Sequence, residues 1–205
     1  MGEEVTQVVL HFFTTGRLLK ELNHTSLTLV PKVPNPSSFN DFRPIACCNL
    51  LYKCISGIMA ARLKAVLPSL IDSAQSAFIP GRNMSNNIFI AQEVLRNYHR
   101  SDTRSRCAIK VDLHKAFDTV KWSFLLELLI KMGFPSRFID WVRTCISTPR
   151  YSLNINGELV GFFGASRGLR QGDPLSPYLF AIIMDALSML IHQNIEEARL
   201  AGNPL

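Results

Sequence analysis

The sequence predicts an α+β fold, with antiparallel strands backed by helices. Three observations predict it. Cys107, Ile109, Val111 and Leu113 are apolar, while Lys110, Asp112 and His114 fall on the other face. That period of two reads as a half-buried strand. Tyr151 to Ile155 alternates in the same way and runs into Asn156-Gly157, a strong hairpin signal, with Leu159 to Phe163 as the returning strand. Elsewhere apolar residues recur at helical spacing, without internal repeats or low-complexity tracts.

The elements follow in order. Residues 3–22 read as a helix with Val5, Val8, Val9, Phe12 and Phe13 as its stripe, interrupted by Gly16. Ser26 to Val30 reads as a strand with Leu27 and Leu29 inward. Pro31, Pro34 and Pro36, then Ser37 and Ser38, mark a loop flanked by Lys32 and Arg43. A helix is expected from Asn49 to Leu67, with Leu51, Cys54, Ile55, Ile58 and Val66 on one face and Pro68 ending it. Ala74 to Pro80 is an extended piece leading to Gly81-Arg82. Asn86 or Asn87 then caps a helix carrying Ile88, Ala91, Val94, Leu95 and Tyr98. Arg96, Arg100, Arg104 and Arg106 form a basic connector. After Asp118, helices are expected over about Ser123 to Met132, stopped by Gly133 and Pro135, and about Arg137 to Ser147. Gly164 to Asp173 is a polar, glycine-bearing loop, and Ser176-Pro177 starts an apolar helix with cap and first-turn proline in place.

Composition bounds the function. The chain has 205 residues, 47% of them hydrophobic, which is room for one large domain or part of one. Its net charge of +6 is compatible with a polyanionic partner. Five cysteines without a C-x-x-C pair read as reduced thiols in an intracellular setting, and the histidines show no zinc pattern. The N-terminus lacks the features of a signal peptide, and no apolar run is expected to reach membrane-spanning length.

Two stretches carry chemistry. A strand that buries one face and ends in Asp112 on the other holds that carboxylate rigidly, as a Mg²⁺ site for phosphoryl chemistry requires. Read alone, it is more often an exposed strand-end aspartate beside a lysine. The second stretch is Arg167-Gly-Leu-Arg-Gln-Gly-Asp-Pro-Leu-Ser-Pro177.

Val111-Asp112-Leu113 with Ala116-Phe117-Asp118, followed by Gly168 to Phe180, resembles motifs A and B of a reverse transcriptase of the LINE-type (non-long-terminal-repeat) retrotransposons of plants. Leu29-Val-Pro-Lys32, Asp41-Phe-Arg-Pro-Ile45, Gln75-Ser-Ala-Phe78 and Gly81-Arg82 match that family's fingers motifs in order. The resemblance runs from about Asn23 to about Leu190 and implies a right-hand polymerase fold, with fingers over 1–105 and an incomplete palm over 106–205. It implies RNA-directed DNA synthesis on an RNA template and DNA primer, from deoxynucleotides, with two Mg²⁺ ions, no membrane partner and a nuclear location if expressed.

The resemblance also implies roles. Asp112 and the Leu113 carbonyl would hold metal. Lys32 and Arg43 would reach the triphosphate, the alternatives being a solvated lysine and an arginine paired with Asp41. Phe117 would lie under the sugar and exclude a 2′-hydroxyl, or pack in the core, or both. Asp118 reads as a helix-entry cap. Arg170, Gln171 and Gly172 would cover the nascent base pair. Gly81 and Arg82 would lie against the template, or form a plain turn. The family's further pair of adjacent aspartates does not occur among the 205 residues. The expectation is therefore a fragment inactive by itself, with an inactive nucleic-acid-binding remnant or a maturase-like RNA-binding protein as alternatives.

Overall fold

The computed structural model describes residues 2–96 and 109–200. Four strands form one sheet: β1 (His24–Pro31), β2 (Phe42–Cys48), β3 (Arg150–Ile155) and β4 (Glu158–Gly164), in the order β2-β1-β3-β4. β2 is antiparallel to β1 and β4 is antiparallel to β3, but β1 and β3 run parallel. The sheet is mixed within an α+β fold: both hairpins are antiparallel, as expected, and β1 with β3 is its parallel pair. Each hairpin closes through its own local loop, residues 32–41 in the first and Asn156-Gly157 in the second, whereas a long helical connection can join two hairpins edge to edge in either sense. The sheet thus takes two strands from each side of the expected boundary at 105/106. At the tip of the second hairpin Asn156 and Gly157 have φ of 52° and 90°, the left-handed pair that a two-residue turn with the right twist needs.

The helices are α1 (Gly2–Thr15), α2 (Leu50–Leu70), α3 (Met84–Arg96), α4 (Trp122–Lys131), α5 (Ser136–Ser147) and α6 (Ser176–Leu200). α1 stops at Gly16 (φ 69°), well short of residue 22, and the Gly16 amide closes it onto the Phe12 carbonyl. Arg137 on α5 donates to the carbonyls of Phe13 and Thr14 and ties that end down. The Asn49 side chain accepts from the Leu51 amide and caps α2. The buried face of α2 is Tyr52, Ile55, Ser56, Met59, Ala60, Leu63 and Leu67, whereas Ile58 and Val66 are exposed. Apolar residues on nearly every side of this helix blur the stripe, so the expected face was rotated.

Pro68 does not end α2. It removes a donor only near the last turn, and the helix continues to Leu70. Neither Asn86 nor Asn87 caps α3. Asn83 does, accepting from the Ser85 amide, while the Asn87 amide donates to the Ala74 carbonyl and the Ser76 hydroxyl. Tyr98, Arg100, Arg104 and Arg106 lie outside the described residues.

The core sits among helices. Phe12 from α1, Ile55, Met59 and Leu63 from α2, Leu125 and Leu129 from α4, Val142 from α5, and Leu179 and Ile182 from α6 are all buried. Each such side chain contributes about 1.5–3 kcal/mol of hydrophobic burial. By length and composition Ser176–Glu197 of α6 is apolar enough to cross a membrane, contrary to the expectation from sequence. The helix packs on α2 and α4, and it carries a buried carboxylate, Asp185, that accepts from the Asp72 amide at 2.8 Å.

One expected strand is not formed. Cys107 and Ala108 lie outside the described residues, and Ile109 to Leu113 is irregular and exposed. Among the described residues no strand pairs with it. An alternating stretch without a ladder has nowhere to place its backbone donors and acceptors except in water.

Candidate functional site

The site is built on one face of the sheet. Alternation puts Thr25, Leu27 and Leu29 of β1 on the same side. Their register partners there are Ala46 and Pro44 of β2 and Tyr151 and Leu153 of β3. Leu29, Pro44 and Leu153 line a cavity of about 780 Å³, together with Lys32, Phe39, Asn40, Phe42, Arg43, His114, Lys115, Asp118 and Gln171. A smaller space of about 200 Å³ continues over Leu27, Ala46 and Tyr151 to Arg167 and Gly168. Apolar strand residues supply the floor, and charged and amide side chains from the tip of the first hairpin and from loops supply the walls.

The two chemistry-bearing stretches form the far wall and are bonded to each other. The Gly168 amide donates to the Val120 carbonyl at 2.7 Å and the Leu169 amide to the Phe117 carbonyl at 2.8 Å. The Trp122 indole donates to the Gly168 carbonyl at 2.7 Å. Only glycine fits at 168, because a Cβ there would lie 3.1 Å from the Asp118 carbonyl oxygen and φ is +96°. The loop is also joined to the sheet, since the Ala46 amide donates to the Gln171 carbonyl. Gly172, at φ +105°, leaves no room for a side chain against the Ala46 carbonyl.

The expected site residues separate into those brought to the cavity and those not. Lys32, Arg43 and Gln171 line it together. The Lys32 ammonium donates to the Asn40 carbonyl at 2.8 Å. Arg43 does not pair with Asp41, whose carboxylate instead accepts from the amides of Ser37 and Ser38 at 2.9 and 2.8 Å. Those amides hold the Asp41 carboxyl below its ordinary range. Asp118 is not a helix cap, because α4 starts after Lys121. Its carboxylate accepts from the Gln171 amide at 3.3 Å inside the cavity. His114 and Lys115 also line the cavity and were missed, because the period-two reading treated them as the exit of a strand. Lys115 has φ of 48°, a left-handed conformation uncommon for a lysine, which marks a turn rather than a strand end.

Other expectations are corrected. Arg170 is not available to a nucleotide: it is 7% exposed, and its guanidinium binds the Thr25 hydroxyl and the Cys145 carbonyl inside the protein. Burial opposes its charge, but the Asp173 carboxylate beside it outweighs that and raises its pKa above the ordinary range. Arg82 is not available to a template phosphate, because it donates to the carbonyls of Pro68, Ile71, Asp72 and Gln75 at the end of α2. Gly81 beside it forms an open turn at φ +76°. The Phe117 ring stacks on Phe180 at 4.7 Å between centroids, a packing contact. Asp112 is exposed on the irregular segment rather than fixed at a strand end, and Leu113 lies over an apolar groove against α4 and α6.

These residues do not by themselves make a magnesium site. Among the described residues no three carboxylate, histidine or cysteine side chains converge. Mg²⁺ binding needs near-octahedral oxygen ligation, and two ions need several carboxylates.

Residues 30–201 match the family described as reverse transcriptase (RNA-dependent DNA polymerase). The chain is 33% identical over 172 residues to the retrovirus-related Pol polyprotein from the type-2 retrotransposable element R2DM of Drosophila melanogaster, covering 84% of this chain and 16% of that protein. It is 27% identical over 195 residues to the transposon TX1 uncharacterized 149 kDa protein of Xenopus laevis, covering 95% of this chain and 15% of the relative. An uncharacterized mitochondrial protein of Arabidopsis thaliana is 54% identical over 48 residues, 23% of this chain and 39% of its own. The chain thus spans less than a fifth of the length of the two retroelement proteins.

Proposed function

The chain belongs to the reverse transcriptase family, and from that premise we propose that its sheet-floored cavity receives the incoming deoxynucleoside triphosphate during RNA-directed DNA synthesis by a longer protein. The observation that carries this reading is the convergence of Lys32 and Arg43 from the first hairpin with Lys115, Asp118 and Gln171 from the far wall in one cavity of about 780 Å³. Two cations on a hairpin facing Lys115 on a turn neutralise a polyphosphate from two sides. Gln171 and the bare backbone at Gly172 suit contact with a base pair without reading its identity. Gly81 offers an open turn to a template strand.

Reverse transcriptases use divalent metal ions. We assign Asp112 and the Leu113 carbonyl to that ion, together with further carboxylates of the longer protein. Phe117, packed under the wall by Phe180, is assigned to the sugar side of the nucleotide.

The test is titration of a deoxynucleoside triphosphate with Mg²⁺ into the protein. Saturable binding is expected, weakened about ten-fold or more by Arg43→Ala and by Lys115→Ala, since each removes a charged contact. Binding indifferent to both substitutions would remove the cavity from the nucleotide path.

A further inference from the structure

Arg170 and Gln171 are consecutive and face opposite ways. Gln171 reaches into the cavity, where its amide donates to Asp118. Arg170 reaches into the protein. Its Nη1 donates to the Thr25 hydroxyl of β1 at 3.0 Å and its Nη2 to the Cys145 carbonyl of α5 at 3.1 Å. Its guanidinium lies 3.8 Å from the centre of the Tyr52 ring of α2 and 3.6 Å from the Asp173 carboxylate. Asp173 in turn accepts from the Tyr52 hydroxyl at 2.5 Å and from the Leu175 amide at 3.0 Å, where the chain enters α6. A charge pair 4% and 5% exposed therefore joins β1, α2, α5 and the start of α6 at one point of the loop.

We infer that Arg170, with Asp173 and Tyr52, is a positioning assembly that fixes where the Gln171 side chain stands in the cavity. The inference rests on the nucleotide-binding reading above. Three features carry it beyond packing. The anchored residue is the immediate neighbour of the one that faces the cavity, so its placement sets the direction of Gln171. The Gln171 carbonyl is held separately by the Ala46 amide, and a Cβ at Gly172 would lie 3.0 Å from the Ala46 carbonyl, so the loop has little play on the other side. The contacts also suit arginine alone. A planar fork can reach a hydroxyl and a carbonyl while lying on a ring, and a lysine ammonium cannot do all three.

The experiment has two readouts on the full chain. Hydrogen exchange follows the amides of Ala46, Gly168 and Leu169, which bond to Gln171, Val120 and Phe117. Nucleotide titration compares Arg170→Lys in the native background with Arg170→Lys in a Gln171→Ala background. Arg170→Lys is expected to speed exchange at those amides while the amides of α5 keep their protection. It should weaken nucleotide binding by about ten-fold in the native background and by less than about two-fold once Gln171 is alanine, the signature of one residue acting through another. Tyr52→Phe keeps the ring under the guanidinium and deletes only the bond to Asp173. It should give the same pattern, smaller, and carries the comparison if Arg170→Lys does not fold. Unchanged exchange, or equal losses in both backgrounds, overturns the inference. Loosened amides in a protein whose unaltered form binds no nucleotide overturn the nucleotide reading instead, and leave the loop anchoring standing.

Discussion

The carboxylate of Asp41 is exposed, yet it organises its loop by accepting from two consecutive amides, those of Ser37 and Ser38. Hydrogen bonds to the charged form lower the folded pKa below the ordinary 3.8. A depressed carboxylate contributes stability that is present above the unfolded value and lost as pH falls through the folded one. The loop that carries Lys32 and Arg43 toward the cavity should therefore stay ordered through neutral and mildly acidic pH and loosen only below about pH 4. The amide shifts of Ser37 and Ser38 followed by NMR should titrate in that range. Asp41→Asn should abolish the titration, and amides that titrate unchanged in that variant would refute the assignment. Phe117 poses a different question, because packing and nucleotide contact both fit an aromatic there. Its stacking on Phe180 means that Phe117→Val should lower the melting temperature, with a cost of about 1–2 kcal/mol for a half-buried ring. In a longer protein competent for synthesis, the same change should raise ribonucleotide use relative to deoxynucleotide. An unchanged ratio would leave the ring with packing alone.

Elements were legible where a local signal determines a local outcome. Asn156-Gly157 gave the hairpin and Gly133 the end of α4, because turn and cap chemistry acts within a few residues. Lys32, Arg43 and Gln171 stand in motifs that preserve order along the chain, and the structure brings the three to one cavity. The rest was not legible because it depends on partners distant in sequence. The alternation of Ile109 to Leu113 is a strand pattern, but a strand exists only with a ladder beside it. An arginine in a sequence does not announce whether its fork meets phosphate or carbonyl groups. Arg82 meets four carbonyls, those of Pro68 and Ile71 at the end of α2, where a helix terminus leaves acceptors without partners, and those of Asp72 and Gln75 in the loop that follows. Arg82→Ala should accordingly cost about 1.5–3 kcal/mol of stability. Chemical denaturation measures this. A stability loss within about 0.5 kcal/mol, the usual range for a surface substitution, would return Arg82 to the solvent-facing surface.

For the whole molecule the question is how a basic chain meets a polyanion. The net charge of +6 is moderate, and the cations nearest the candidate site come from different elements: Lys32 and Arg43 from the first hairpin and Lys115 from the turn before α4. Such an arrangement reads backbone charge rather than base edges, so binding to single-stranded RNA or DNA should be weak and indifferent to sequence. Each phosphate neutralised releases condensed counterions, giving a slope of about −0.7 per contact in log affinity against log salt for single strands. Three contacts at the site then predict a slope of about −2, measurable by anisotropy of labelled oligonucleotides across a potassium chloride series. Arg43→Ala or Lys115→Ala should flatten that slope by the share of one contact and weaken binding to all sequences alike. Arg82→Ala should leave the slope as it is, measured where the variant remains folded, because its guanidinium is engaged with α2 and releases no counterion. A slope that falls with Arg82 and not with Arg43 would move the nucleic-acid path away from the cavity and toward the turn at Gly81. Affinity that ignores salt, or that distinguishes one sequence strongly from another, would argue for base contacts that the cationic walls of this cavity do not supply.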